Sequence, residues 1–345
     1  MTTLPLVASV PVAGGIGRSV TLSIPEGAVS FGFYLFGNTV GTRVAFGGLF
    51  APDGTNVLDE SSSPLAAEDD IQFCTAGFCS LVVPKETRVL PVSGTWTAAV
   101  VAFDAEDLEG VSARGVIREG PLGASPTFTL RPFVVTDAVP AAQLASSLDA
   151  VADLFDAMYG ITLSIEPIVA LESPSGESVV QDFLQPDTAA VVSMGDPESI
   201  NLFFARRILG VGGLLGIASG IPASHGVAGP FNGLLIHLEN HTTGSGSLVS
   251  ALLEETIAHE MGHMLGLFHT TESDAAFFDP ISDTPECSIE NDLDMDGLLL
   301  VDECLELGGD NLMFWTPGTT TGAAVVQRTL TADQRFVISR SLVGQ

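Results

Sequence analysis

Residues 259 to 269 read HEMGHMLGLFH, and few stretches of this length leave a chain so little freedom. His259 and His263 stand four apart, the spacing that stacks two side chains on one face of an α-helix, so the stretch predicts a helix carrying two adjacent imidazoles. Glu260 lies beside them. Gly266 then permits the left-handed backbone that ends a helix, and the chain can swing His269 back toward the same point. Three neutral nitrogen donors leave one position of a tetrahedral zinc open, which is the pattern of a catalytic rather than a structural site. Zinc lowers the pKa of a bound water from about 15.7 toward about 7, and Glu260 is placed to take that water's proton and pass it to a leaving amine. The expected chemistry is hydrolysis of a peptide bond. A buried helix whose histidines only satisfy carbonyl groups has no use for the glutamate, the glycine and the third histidine at these spacings.

A second cation is expected downstream. Asp292, Asp294, Asp296, Gly297 and Glu303 follow the spacing DxDxDGx5E of a calcium loop, with Asp302 as an additional carboxylate. Oxygens at alternating positions wrap a hard cation, the glycine makes the sharp turn, and the last glutamate binds through both oxygens. No long helices flank the segment, so an isolated loop is expected rather than a paired helix–loop–helix. Cys287 and Cys304 bracket this loop, while Cys74 and Cys79 lie close together in CTAGFC. Of the three connectivities open to four cysteines, local pairing is the simplest, and two disulfides imply an oxidising, extracellular location. His225, His237 and His241 are expected to be packing or surface residues.

The charge balance separates classes of partner. With 12 basic and 42 acidic residues the formal charge is -30, and a phosphate backbone would be repelled, so nucleic acid is disfavoured. Hydrophobic residues still make up 46% of the chain, too many for a disordered acidic tail. The start, Met1-Thr2-Thr3-Leu4-Pro5, lacks the basic and apolar regions of a secretory leader, and no apolar run is long enough to span a bilayer.

Two domains are expected, at residues 1–122 and 123–345. From Val20 to about Ile117 short alternating stretches such as Val20-Thr21-Leu22-Ser23-Ile24 are separated by turn signals at Pro25-Glu26-Gly27, Pro52-Asp53-Gly54 and Val92-Ser93-Gly94, the pattern of an all-β sandwich. A Gly- and Pro-containing seam at Glu119 to Pro126 follows. Beyond it, strands are expected at about Thr127–Val135, Ile161–Leu171, Ser199–Ile208 and Gly233–Leu238. A helix from Pro140 is expected to bury the stripe Leu144, Leu148, Val151, Phe155 and Met158, so the second domain is of the α+β class.

The run HExxHxxGxxH from His259 to His269, with Asp310-Asn311-Leu312-Met313-Phe314-Trp315 downstream, resembles the metzincin zinc peptidases, whose extended motif is followed by a methionine-containing turn. Ser282-Asp283-Thr284-Pro285, and Asn311 two residues before Met313, resemble the pappalysin branch. The likeness covers roughly residues 125–345, and its specific part is 259–315. It implies a twisted mixed sheet with an antiparallel edge strand, the zinc helix below it, Met313 beneath the metal, and a cleft that binds an extended protein or peptide substrate. Gly233-Leu234-Leu235-Ile236-His237 is expected on the cleft side of that sheet. Where that branch places a tyrosine two residues after the methionine, this chain has Trp315, which is expected either to pack under the site or to contact substrate or an oxyanion through its single N–H. Leu49-Phe50-Ala51-Pro52-Asp53-Gly54-Thr55 and Gly94-Thr95-Trp96-Thr97 resemble jelly-roll modules that accompany secreted peptidases. The expected function is a secreted zinc endopeptidase. The alternatives are a non-catalytic calcium-dependent binding protein and a zinc amide hydrolase acting on something other than a protein.

Overall fold

A computed structural model describes residues 2–4, 7–8, 16–37, 39, 42–58, 72–102, 110–120, 126–135, 139–171, 178–320, 323–324 and 326–343. The chain is a mixed α/β molecule with several sheets and few helices. The seam expected at Pro121 to Ser125, and with it the boundary at residues 122 and 123, lies outside the described residues.

Among the described residues, the first part is built of strands. Its strands are β1 (Thr2–Leu4), β2 (Val7–Ala8), β3 (Ile16–Ile24), β4 (Ala28–Phe36), β5 (Val44–Phe50), β6 (Phe73–Thr75), β7 (Phe78–Val83), β8 (Gly94–Ala102) and β9 (Ser112–Glu119). They form two antiparallel sheets, ordered β1-β9-β4-β7-β6 and β2-β3-β8-β5. Alternation puts Val20, Leu22 and Ile24 of β3, Phe31, Phe33 and Leu35 of β4, and Trp96, Ala98 and Val100 of β8 into one shared core. Trp96 is buried there with its ring 4.8 Å from that of Phe31, and its N–H donates to the Val92 carbonyl at 2.9 Å.

The second part is built on β10 (Thr127–Val134), β11 (Thr162–Ile165), β12 (Val169–Ala170), β13 (Ser178–Val180), β14 (Ile200–Ala205), β15 (Arg207–Leu209), β16 (Gly216–Ala218) and β17 (Leu234–His237). The main sheet runs β11-β10-β14-β17-β16, with β12 also on β10, and every pair is parallel except β16 with β17. Its central strands are apolar on both sides, as parallel strands covered on both faces must be. Ile200, Leu202 and Phe204 of β14 and Leu234 and Ile236 of β17 face helices α1 (Ala141–Leu154) and α3 (Ser250–Met264). Phe203 and Leu235 face the opposite way, toward Tyr34, Phe78, Val82 and Val116 of the first part. Phe78 stacks on Phe231 at 4.4 Å, so the two parts share a core rather than meeting through a polar linker. Short α2 (Pro186–Val192) and C-terminal α4 (Ala332–Ser339) complete the described α-helices.

Four sequence expectations change. The buried stripe expected to run to Met158 ends at Phe155, because the helix widens into a π-turn over Phe155–Tyr159 and leaves Met158 exposed. The segment expected as one strand from Ile161 to Leu171 divides into β11 and β12, because Pro167 between them has no N–H for a ladder. The segment Ser199–Ile208 divides after Ala205, and Arg207–Leu209 pairs with β13 instead. The antiparallel edge strand is β16, and Leu234–His237 is its inner neighbour. Both disulfides are local, Cys74–Cys79 and Cys287–Cys304. Among the described residues no helix is long and apolar enough to cross a membrane.

Candidate metal centre

Helix α3 ends where the motif requires. Its last turn hands over to Gly266, whose φ of 108° is the left-handed region a side chain would disfavour. The chain then returns to place His269 beside His259 and His263. The Nε2 atom of His269 lies 3.2 Å from that of His259 and 3.1 Å from that of His263. A tetrahedral zinc with bonds of about 2.0–2.1 Å separates its ligand nitrogens by about 3.4 Å. The three atoms therefore already stand close to the spacing that zinc imposes.

Each ring is aimed by its other nitrogen. The Nδ1 of His259 meets the Leu312 carbonyl at 2.7 Å, that of His263 meets the Leu267 carbonyl at 2.8 Å, and that of His269 meets Glu272 Oε1 at 2.8 Å. An acceptor at Nδ1 requires the proton there and leaves the lone pair on Nε2. Three lone pairs converging at about 3 Å repel one another unless a cation takes them up. Burial also keeps two of the imidazoles neutral, as ligands must be. It pulls His259 down to about 3, helped by the charge of His269, and pulls His263 well below the ordinary histidine range.

Glu260 is buried, and its flank touches β16. A Cβ placed on Gly216 would lie 2.7 Å from Glu260 Cγ and 3.0 Å from Oε1. Burial pushes the Glu260 carboxyl up to about 8, with the Ala218 N–H drawing it back. An adjacent divalent cation would favour the ionised form.

Met313 is fully buried and packs against Gly262 on the inner side of α3. Its turn is pinned from both ends. The Met313 N–H donates to Asn311 Oδ1 at 2.9 Å, and Asn311 Nδ2 donates to Gln334 Oε1 at 2.9 Å, within the capping box that starts α4. The Met313 carbonyl accepts from the Thr270 N–H at 3.0 Å. Trp315 contributes its ring to the cleft, but its Nε1 donates to the Leu299 carbonyl at 2.6 Å, so this hydrogen is already committed.

A cleft of about 870 Å³ opens in front of the histidines. Its lining includes His259, Glu260, Trp315, the edge strand around Gly216, and Phe73 of the first part. Thr284, in the Asp283-Thr284-Pro285 segment, lies 2.5 Å from the buried Asp279, whose carboxyl burial pushes up to about 8. His237 and His241 point their Nδ1 atoms at backbone carbonyls, and His241 Nε2 meets Thr256 of α3 at 2.9 Å. His225 is buried.

The acidic loop gathers as its spacing suggests. Carboxylate oxygens of Asp292, Asp294 and Asp296 all lie within 4.8 Å of one another. Gly297 has φ 85°, and its N–H donates to Asp292 Oδ2 at 2.9 Å. Glu303 folds over the loop, accepting from the N–H groups of Leu293 and Leu300 at 2.7 and 2.9 Å. Asp302 is exposed and stands outside the group. Single-turn helices, Ile289–Asn291 and Leu305–Leu307, flank the loop in place of long ones.

No protein-family model matches the chain, and no curated protein does. Among solved structures, archaemetzincin from Methanopyrus kandleri aligns at 14% identity over 47% of this chain and 85% of that one, with a TM-score of 0.31. Archaemetzincin from Archaeoglobus fulgidus, complexed with malonate, aligns at 15% identity over 45% and 87%, with a TM-score of 0.26. Metalloproteinase-II from Bacteroides fragilis aligns at 12% identity over 78% and 74%, with a TM-score of 0.29.

Two residues of the centre carry no motif. Glu272 orients His269, and its only signal in the sequence is a carboxylate three residues after the last histidine. Gly216 leaves room for Glu260 from a strand whose three residues, Gly216-Ile217-Ala218, show no alternation to mark them.

Proposed function

We propose that this protein is a zinc-dependent endopeptidase of the metzincin type, nearest in motif to the pappalysin branch. The observation that carries the reading is the convergence of three Nε2 lone pairs, each fixed by an acceptor at Nδ1, beside a buried glutamate that is not one of the donors. His259, His263 and His269 would hold the metal, and the donor set fits zinc in number, type and spacing. Zinc in that position supplies Lewis acidity and an acidified water. Glu260 receives a proton at its carboxylate and returns it to the leaving amine. Met313 supports the floor of the site from beneath α3.

Substrate binding follows from the sheet edge. Leu215 and Ser219 bond to the inner strand through the Leu215 carbonyl and the Ser219 N–H, so alternation turns the main-chain groups of Gly216 and the Ala218 carbonyl outward toward the cleft, while the Ala218 N–H bonds Glu260. An extended peptide laid along them gains main-chain hydrogen bonds irrespective of its sequence. With its N–H held by Leu299, Trp315 offers substrate a ring face rather than a hydrogen-bond donor. Calcium in the acidic loop is part of the reading, supported by the gathered carboxylates of Asp292, Asp294 and Asp296 and the turn at Gly297. Secretion is supported by the two disulfides. Residues 1–122 are read as a β-sandwich accessory domain and 123–345 as the peptidase domain.

Peptide-library digestion read by mass spectrometry tests the proposal. Zinc-loaded protein is expected to cut within peptides, and Glu260→Gln to keep its zinc and lose nearly all turnover. Release of single terminal residues only would refute an endopeptidase. Unchanged turnover in Glu260→Gln would refute the assignment of the base.

A further inference from the structure

The first part of the chain does more than cover the back of the catalytic sheet. Gln72, Phe73 and Cys74 line the same cleft as His259 and Glu260. These residues begin the β6–β7 hairpin, which is closed by the Cys74–Cys79 disulfide. The hairpin is held in place from several sides. Gln72 acts as a strand residue for the neighbouring sheet, its Oε1 accepting from the Phe46 N–H at 2.8 Å and its Nε2 donating to the Phe46 carbonyl at 2.9 Å. Gly77 at the turn donates its N–H to the Thr42 carbonyl at 3.0 Å and sits against Leu184 of the second part, where a Cβ would meet the leucine methyl at 2.7 Å. Ser80 of β7 donates to the Ile221 carbonyl at 3.0 Å.

The faces of the edge strand decide what this wall meets. Gly216 faces Glu260 and Thr256 on α3, whereas Ile217 faces the opposite way, and Ile217, Leu214 and Phe73 all pack against the core shared by the two parts and all line the cleft. A peptide extended along β16 presents alternate side chains to those two faces. One set points toward α3 and the metal centre. The other set points toward Phe73, Leu214 and Ile217, a wall that is half-buried and apolar, with no charged side chain among them.

We propose that the β6–β7 hairpin of the first part forms a specificity subsite of the peptidase, in which Phe73 together with Leu214 and Ile217 receives a large apolar side chain of an extended peptide substrate. The inference rests on the endopeptidase reading above. Its occupant follows from the groove being continuous with the metal centre and from the apolar character of its wall. Because the hairpin is fixed by hydrogen bonds on both flanks, the subsite is preformed, and little ordering cost offsets its selectivity.

The test compares cleavage-site profiles of the full chain and its Phe73→Ala variant on the same peptide library, followed by kcat/KM on matched peptides carrying Leu or Ala at the selected position. The parent is expected to prefer a large apolar residue at one position. Phe73→Ala is expected to lose about tenfold in kcat/KM on the Leu peptide and less than about twofold on the Ala peptide, the range that a truncated apolar pocket produces. Should Phe73→Ala fail to fold, Phe73→Leu keeps apolar bulk against Phe78 and is expected to shift the preferred residue in size. Profiles that coincide between an active parent and a folded variant would overturn the subsite and leave the peptidase reading intact. A zinc-loaded parent that cuts no peptide would overturn the peptidase reading and this inference with it.

Discussion

The substitution Gly216→Ala isolates Glu260 from the metal. Gly216 does not have a positive φ, so alanine meets no backbone penalty there, and its effect is steric. The new methyl would stand 2.7 Å from Glu260 Cγ, 3.0 Å from its Oε1 and 3.0 Å from Thr256 Cγ2. Carbon atoms rest at about 3.5–4.0 Å, so the glutamate must retreat by about 0.8–1.3 Å. β16 cannot yield in its place, because it is bonded to β17, all of whose residues are buried. A misplacement of about 1 Å costs roughly 10²-fold in rate, and overpacking costs about 1–3 kcal/mol of stability. The atoms nearest the new methyl belong to Glu260 and Thr256 and not to the three histidines, so zinc content is expected to stay at the parental level. The assay is kcat/KM on a peptide found by library digestion, with metal analysis and thermal melting on the same sample. Gly244→Ala, where nothing lies within 4 Å of the added carbon, is the control and is expected to behave as the parent does. A folded, zinc-loaded Gly216→Ala protein with activity within about threefold of the parent would refute the reasoning, since the position of Glu260 would then not matter to the rate.

Other consequences are open to measurement. Glu272→Ala removes the acceptor that fixes His269 and should weaken zinc about 10–100-fold in competition with a chromophoric chelator, with Glu272→Gln retaining most of the affinity; equal affinities in all three proteins would deny the glutamate its orienting role. Asp279 holds its proton up to about pH 8 in the fold but loses it near pH 4 when unfolded, so its contribution is complete below about pH 4 and disappears as pH rises through 8. Between pH 6.5 and 8, where the buried His225 and His241 contribute alike to both proteins, parental stability in urea should fall by up to about 1.4 kcal/mol per pH unit more steeply than that of Asp279→Asn, and parallel slopes would contradict this. Calcium should raise the melting temperature of the parent and not of Asp294→Ala, whereas an equal rise in both would place the cation elsewhere.

The parts of the centre that could be read in the sequence are those whose geometry is local. His259, His263 and Gly266 fix one another through helix pitch and helix termination, and the acidic loop fixes itself through alternating carboxylates and one glycine. α1 was legible for the same reason, since Leu144, Leu148 and Val151 keep helical spacing and all are buried. What sequence could not supply were pairings between distant segments. The cleft edge depends on which strand lies outside β17, and Leu234-Leu235-Ile236-His237 reads as strongly apolar because it is covered on both faces, which makes it an inner strand. Phe73 gives no sign of facing a metal centre nearly two hundred residues away along the chain, because only the packing of two sheets brings it there.

The three imidazoles take their orientation from three different segments, and this ties the centre to its surroundings. His263 depends on the turn after Gly266 through the Leu267 carbonyl, His269 on Glu272, and His259 on the Leu312 carbonyl. Leu312 and Met313 belong to a turn fixed from one side by Asn311 and Gln334 and continued on the other by Trp315, whose N–H is held by Leu299. Leu299 lies between Gly297 and Glu303 of the acidic loop, and it packs with the Cys287–Cys304 disulfide and Phe314 in one small core. A cation bound in that loop would therefore act on the same carbonyl-to-indole contact that anchors the turn beneath His259. Trp315 lines the cleft with its ring while its indole N–H ties the turn after Met313 to the loop that the disulfide closes.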